Sequence, residues 1–146
     1  MQFFLPSRKT LSGLYQAPNV ELPEGGAPLY ESFAWTASLG NALAAMDSQE
    51  LSRTFESDAV LWAIAGSFSG AGAFIQITHF HGKSKREFYS NPRPLDSVAG
   101  PGSNPFLLVP TYAITAGDTI QVEAKSVDRN NAQNVEVVLY CNEVKS

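Results

Sequence analysis

The sequence contains little that would suit a cross-linked, metal-clustered or membrane-spanning protein. Its 146 residues include one cysteine, Cys141, which excludes an internal disulfide and any zinc site built from several cysteines. No apolar run approaches the roughly 18 residues that a membrane helix requires. The first ten residues, MQFFLPSRKT, lack the basic segment and long apolar core of a secretory signal, so we expect none there.

Charged residues are also scarce. They make up 16% of the chain, whereas an average soluble domain contains about 25%. The formal net charge is −4, which argues against a nucleic-acid partner because such proteins usually carry a basic patch. The same acidic balance gives no reason to expect attachment to an anionic membrane.

The low charge has a consequence for assembly. A free monomer usually keeps its surface soluble with charged side chains. A folded chain of this mass exposes roughly 7,000 Å², and each standard protein contact covers about 800 Å² per partner. We therefore expect copies of the chain, or other subunits, to cover part of the surface, although Ser, Thr, Asn and Gln can also solubilise it.

The first 46 residues differ from the rest in composition. They contain Pro6, Pro18, Pro23 and Pro28, so a continuous helix is not expected before about residue 30. The segment 1–46 is predicted to be an extended arm, with a short helix or a strand at 33–46. Its scattered apolar residues are suited to binding a surface, and the ones we expect to make contacts are Phe3, Phe4, Leu5, Leu14 and Tyr15.

Residues 47–146 are typical of a single all-β domain. Short strand-like segments recur at 51–55, 59–67, 73–80, 106–109, 119–125 and 135–141, separated by Gly- and Pro-rich turns. Apolar and polar residues alternate in 51–55 and 119–125, whereas 59–67 is apolar on both faces, as expected for a central strand of a sandwich. No strand–helix–strand rhythm is present, so the pattern predicts an antiparallel β-sandwich that resembles a jelly roll. Trp62 lies in the most apolar segment and is predicted to be in the core. Cys141 continues the apolar face of the last strand and is predicted to be a small buried side chain.

A loop rich in Pro and Gly interrupts this pattern at residues 91–105. Its sequence, NPRPLDSVAGPGSNP, contains four prolines and two glycines, which predict no regular structure. Loops of this length are uncommon in compact domains and are often functional. We expect contacts with partners around this loop at Asp96, Val98 and Phe106.

The sequence offers few candidates for chemistry. His79 and His81 are two residues apart on a predicted strand, so their side chains point to the same side and could begin a metal site. No third ligand stands at a telling spacing, so we predict a structural role and no metal. No catalytic residues or cofactor are predicted, because nucleophile elbows, phosphate loops and Cys/His pairs are absent from the sequence. Four aromatic residues could instead form a carbohydrate-binding shelf: Trp35, Tyr89, Tyr112 and Tyr140.

Four consecutive segments resemble small β-sandwich structural proteins of tailed-bacteriophage virions. They are DAVLWAIAGSFSGAGAFIQITHF, PLDSVAGPGSNPFLLVP, YAITAGDTIQVEAKS and NNAQNVEVVLYCNEV, within about residues 58 to 144. The order of the segments carries the resemblance, since turns similar to AGDTI occur in many sandwiches. The arm at 1–46 and the HFH segment depart from the family pattern.

The resemblance implies a non-enzymatic structural protein of the virion. It implies that the chain is a decoration or cement protein on the surface of the particle, and that the particle is assembled in the host cytoplasm. The implied partners are other copies of the chain and a major capsid protein or another virion protein. The alternatives are a collar or tail component, a carbohydrate-binding component that recognises a receptor, and a small metal-binding enzyme that uses His79 and His81.

Overall fold

A computed structural model describes residues 27–144 of the chain. The predicted contact residues of the arm, Phe3, Phe4, Leu5, Leu14 and Tyr15, lie outside the described residues. Within the described part no helix is long and apolar enough to cross a membrane.

Nine strands and one short helix make up the described fold. The strands are β1 (Pro28–Trp35), β2 (Ser48–Thr54), β3 (Ala59–Phe68), β4 (Ala73–His81), β5 (Ser84–Glu87), β6 (Arg93–Pro94), β7 (Phe106–Ile114), β8 (Thr119–Ser126) and β9 (Val135–Glu143). The helix α1 spans Leu95–Val98, and a single 3₁₀ turn spans Ala37–Leu39.

The strands form two antiparallel sheets that pack face to face. The first sheet has the order β1-β9-β3-β7, and the second has the order β2-β8-β4-β5, with β6 pairing with β4. The pairs β1–β9, β2–β8, β3–β7 and β4–β5 nest inside one another along the chain. They form one long antiparallel ribbon that folds over on itself, which is the connectivity of a jelly roll. The predicted fold class is therefore confirmed.

Alternation of side chains along the strands builds the core. In β8 the residues Ile120, Val122 and Ala124 are fully buried, while their neighbours in the strand are partly or fully exposed. The same period of two places Val137 and Leu139 of β9 against them from the opposite sheet. Two apolar faces packed in this way remove enough area from water to stabilise a sandwich.

The open side of the sandwich next to β1 and β2 is closed by an arginine. Arg53 of β2 donates a hydrogen bond of 2.9 Å to the carbonyl oxygen of Ser32 in β1. Its guanidinium also lies 5.2 Å from the centre of the Phe33 ring. The two edge strands are thereby tied across the gap between the sheets.

The structure corrects the predicted boundary at residue 46. Residues 28–35 were assigned to the arm, but they form β1, an integral strand of the first sheet. Phe33 and Trp35 are 0% and 1% exposed in the core. Pro28 misled the prediction because it is the first residue of an edge strand, a position where a missing N–H costs little. The end of β1 at Trp35 falls within the segment 33–46, for which a short helix or a strand was expected, and Pro6, Pro18 and Pro23 lie outside the described residues.

The loop at 91–105 is more ordered than predicted. It contains β6 and α1, and the helix buries Leu95 and Val98 against the core. Beyond the helix, Gly100 forms a bridge to β3: its N–H donates to Ile64 and its carbonyl oxygen accepts from Gly66. The segment therefore packs against the sandwich.

We predict that Gly100→Ala destabilises the protein, whereas Gly102→Ala does not. A Cβ at position 100 would clash with the backbone carbonyl oxygen of Asn104, so the loop would have to open. At position 102 the nearest atom would be the Tyr140 hydroxyl at 3.6 Å, an ordinary contact. Chemical denaturation should show a loss of about 1–3 kcal/mol for Gly100→Ala and a change within about 0.5 kcal/mol for Gly102→Ala. Equal stabilities of the two variants would contradict the described loop.

Candidate functional site

The outer face of the first sheet carries a second cluster of apolar side chains, separate from the core. Trp62, Ala63 and Ala65 of β3 and Tyr140 of β9 form its centre, with Tyr30, Leu107 and Val138 packed around them. We call this set of seven residues the aromatic face. The Tyr140 ring makes edge contacts with Tyr30 and Trp62, at centroid distances of 5.5 and 5.6 Å. Such contacts stabilise aromatic pairs beyond the area that they bury.

A bulge in β3 places Trp62 on this face. The pairing of β3 with both β7 and β9 shifts register between Leu61 and Ala63. Leu61 and Ile64 consequently both point into the core, while Trp62 and Ala63 both belong to the aromatic face. The prediction of a core position for Trp62 is correct in burial, at 2% exposed, but wrong in location. One extra residue reverses the side that every later residue faces.

The two sheets differ in charge. The four strands of the first sheet contain only three charged residues, Glu31, Glu136 and Glu143. By alternation only Glu136 projects from the outer side, where it accepts a hydrogen bond from Ser32. The strands of the second sheet contain eight charged residues, and Glu50 and Glu123 lie directly across from each other. The outer surface of the second sheet is thus suited to contact with water, whereas that of the first sheet has few groups that require water.

The predicted contact residues of the loop fall in different environments. Asp96 is exposed in the first turn of α1, and Phe106 is 50% exposed at the start of β7. Val98 is 8% exposed and belongs to the core. Val98 is therefore not available as a surface contact, because it supplies the apolar side of α1.

The two histidines meet one carboxylate. His79 Nε2 lies 2.6 Å from Asp118 Oδ2, and His81 Nδ1 lies 2.7 Å from Asp118 Oδ1. The other ring nitrogen of His79 is hydrogen-bonded to the hydroxyl of Tyr112. These four residues, here named the histidine cluster, connect the end of β4 to the turn between β7 and β8.

Asp118 is the centre of the histidine cluster and is 3% exposed. Burial alone would raise the pKa of its carboxyl group, but hydrogen bonds from the Thr115 N–H and from both histidines outweigh this and lower the pKa below the ordinary 3.8. Because a carboxylate only accepts, both imidazoles donate their N–H groups to it. The cluster therefore works as a hydrogen-bonded clamp on the turn.

The described residues place no further metal ligand beside His79 and His81 in the arrangement of a metal site. Between residues 27 and 144, His, Cys, Asp and Glu form no group of three or more with the arrangement of a metal site. Each side of the Asp118 carboxylate is occupied by an imidazole N–H, which leaves the three groups directed at one another. This geometry gives no support to the alternative of a metal-binding enzyme.

The carbohydrate shelf predicted from four aromatic residues does not form among the described residues. Trp35 and Tyr140 are buried, at 1% and 4% exposed, and lie on opposite sides of the first sheet. Tyr89 and Tyr112 are half-buried and pack against Phe88. Cys141 is buried as predicted, and burial raises the pKa of its thiol to about 12.

Sequence reasoning missed that Asp118 and Tyr112 would join the histidines. Asp118 lies in the turn before β8, and nothing in the sequence linked that turn to the HFH segment. The antiparallel register, which pairs His79 with Ile120 and Phe80 with Thr119, brings the turn next to His81. The contact between Asp118 and the histidines follows only from the pairing of β4 with β8, two strands that are far apart in sequence.

We predict that Asp118→Asn lowers the stability and flattens its dependence on acid. A carboxyl group whose pKa is lowered by folding stabilises the folded state above its ordinary value of 3.8, and that contribution is lost as the pH falls through the folded value. The free energy of unfolding at neutral pH should fall by about 1–3 kcal/mol in the variant. Denaturant titrations at a series of pH values down to about 2 measure this.

The matched control for Asp118→Asn is Asp96→Asn. It removes the same charge from an exposed position in α1. If both variants lose stability equally, or if Asp118→Asn retains the acid dependence of the parent protein, the role of the clamp is refuted.

The sequence matches no protein-family model and no curated protein. A functional assignment for this chain therefore depends on its fold and on the chemistry of its surfaces.

Proposed function

We propose that this chain is a non-enzymatic structural protein of a tailed-bacteriophage virion, a decoration or cement protein that binds neighbouring capsid subunits. The observation that carries the proposal is the difference in charge between the outer surfaces of the two sheets. One outer surface has charged residues typical of contact with water, and the other has the aromatic face with Glu136 as its one charged neighbour on that side. A surface of the second kind is suited to being covered by protein.

The fold supports the same proposal. Jelly rolls occur in viral capsid domains as well as in lectins and cupins, so the fold alone does not select among them. The four segments that resemble virion proteins correspond to consecutive units of this fold. They are β3 with β4, α1 with the start of β7, the β7–β8 turn with β8, and the loop before β9 with β9. The resemblance therefore follows a structural order.

A collar or tail position is the second candidate for the same type of protein. It would use the same covered surface, so the two are separated by which particle the chain binds. The carbohydrate-binding and metal-enzyme alternatives lack a supporting observation in the described residues.

The purified chain is expected to bind phage heads. Capsids assembled from the major capsid protein of the same genome should pellet with the chain in a saturable, stoichiometric manner. Heads from an unrelated phage provide the control for unspecific binding. Binding to purified tails in place of heads would favour the collar or tail position, and binding to neither particle would refute a virion role.

Deleting residues 1–26 is expected to leave a folded domain that binds heads more weakly. The described sandwich begins after this segment, with β1 at Pro28, so the deletion removes no described strand. The segment contains the predicted contact residues Phe3, Phe4 and Leu5, and a tethered segment adds contacts at a high effective concentration. Circular dichroism checks the fold and co-sedimentation measures the binding. Binding equal to that of the full chain would exclude a role for the segment.

A further inference from the structure

We propose that residues 1–26 cover the aromatic face of their own chain. The inference concerns the free protein and goes beyond the proposed function, because it holds or fails whether or not the chain binds a virion. It names the partner of a surface that is buried within the single chain although it lies on the outer side of the sandwich. The aromatic face is then an anchor that keeps the first residues on the side of the molecule with the least charge.

The centre of the aromatic face is shielded from water although it projects away from the core. Trp62 is 2% exposed and Tyr140 is 4% exposed. Tyr30, Leu107 and Val138 flank them in the same layer and are themselves only partly buried. The outer face of an antiparallel sheet is normally in contact with water when its other face packs on the core. The burial of Trp62 and Tyr140 therefore requires a cover above this layer.

Among residues 27–144 the loop before β7 reaches one part of this layer. The hydroxyl of Tyr140 donates a hydrogen bond of 3.4 Å to the carbonyl oxygen of Gly102 in that loop. A hollow beside the loop is lined by Val138 and Tyr140 but not by Trp62. The other main contacts of β3 and β9 are with their neighbouring strands and with α1, which packs on the core side. These contacts leave the area above Trp62 to the rest of the chain.

Three buried polar atoms on the same side of the sheet have no hydrogen-bond partner among the described residues. They are the hydroxyl of Tyr30, the indole Nε1 of Trp62 and the side-chain oxygen Oδ1 of Asn142. By alternation along β9, Asn142 projects to the same side as Tyr140. Buried polar groups are nearly always paired, and this set includes both donors and an acceptor. A cover made of main chain offers both kinds of partner, because each residue other than proline carries one N–H and one carbonyl group.

Residues 1–26 enter the sheet at the border of this face. The N–H of Glu143 donates to the carbonyl oxygen of Ala27 at 2.7 Å, and Pro28 pairs with Asn142. Twenty-six residues reach up to about 85 Å, whereas a sheet of four strands spaced by about 4.8 Å is roughly 20 Å wide. The two residues after Val144 reach about 7 Å and are too short to cover the face.

The composition of residues 1–26 also suits this surface. Its apolar and aromatic side chains include Phe3, Phe4, Leu5, Leu11, Leu14, Tyr15, Val20 and Leu22. Its basic residues, Arg8 and Lys9, are opposite in sign to Glu136, the one charged side chain that projects from the outer side of the first sheet. The segment thus offers apolar side chains for the aromatic centre and polar main-chain groups for the unpaired atoms.

The test measures how well Trp62 is shielded in the full chain. Trp35 and Trp62 are the two tryptophans of the sequence. Trp35→Phe leaves Trp62 as the single reporter, and Trp62→Phe leaves Trp35 in the core as the matched control. Quenching of fluorescence by acrylamide measures the access of the solvent to each ring. We expect weak quenching of Trp62, at the level of Trp35, over a wide range of protein concentrations.

Changes in the first residues should uncover Trp62 and leave Trp35 shielded. Two changes are compared. One is the removal of residues 1–26, and the other is a full chain with the combined substitutions Phe3→Ser, Phe4→Ser, Leu5→Ser, Leu14→Ser and Tyr15→Ser. Each should raise the quenching of Trp62 severalfold and shift its emission to longer wavelength. Circular dichroism checks the fold, and the substituted full chain keeps the test decisive if the shortened chain does not fold. If Trp35→Phe does not fold, the parent chain with both tryptophans reports the same change.

Three results would overturn the inference. If Trp62 remains shielded in both changed chains, described residues such as those around Val109 in β7 cover it. If the shielding of Trp62 appears only at high protein concentration, a second copy supplies the cover. If Trp62 is readily quenched in the full chain, the face has no cover at all. These measurements use the isolated chain, so their failure is distinct from a failure of the proposed function, which the binding to heads decides.

Discussion

Strand β9 is the element on which the rest of the structure depends, since it is packed on both sides and paired on both edges. It lies between β1 and β3, and it pairs with them over its whole length. Its inner side supplies Val137, Leu139 and Cys141 to the core, and its outer side supplies Val138 and Tyr140 to the aromatic face. One strand near the end of the chain thus joins the folding core to the surface that we propose residues 1–26 to cover.

The nested ribbon explains how this arrangement arises. In the pairs β1–β9, β2–β8 and β3–β7, one strand comes from the first half of the chain and the other from the second half. Neither half can therefore bury its apolar residues without the other. Most contacts are therefore between residues far apart in sequence, which favours slow and cooperative folding over local stability. The register of the whole ribbon depends on a few local features, among them the bulge at Trp62.

The aromatic face and the histidine cluster both lie outside the main core, but they differ in polarity and in the role that we assign to them. The cluster is polar, and its central carboxylate on Asp118 receives hydrogen bonds from two imidazoles and from the Thr115 N–H. It holds the β7–β8 turn. The aromatic face is apolar and wide, and it lies next to an uncharged edge strand. This contrast is why we assign the binding of a protein segment to the face and a structural role to the cluster.

The sequence by itself determined the all-β class, the alternation of buried and exposed residues in β8, and the burial of Cys141 on the inner face of β9, because side chains in a regular strand have a period of two. It also indicated a surface with few charged residues. Only the tertiary structure decided that residues 28–35 belong to the first sheet, that Val98 is in the core, and that Trp62 faces outward. It alone brought Asp118 and Tyr112 to His79. The physical reason is that each of these facts depends on strand pairing between distant segments, and hydrophobic periodicity within one segment contains no information about its partner.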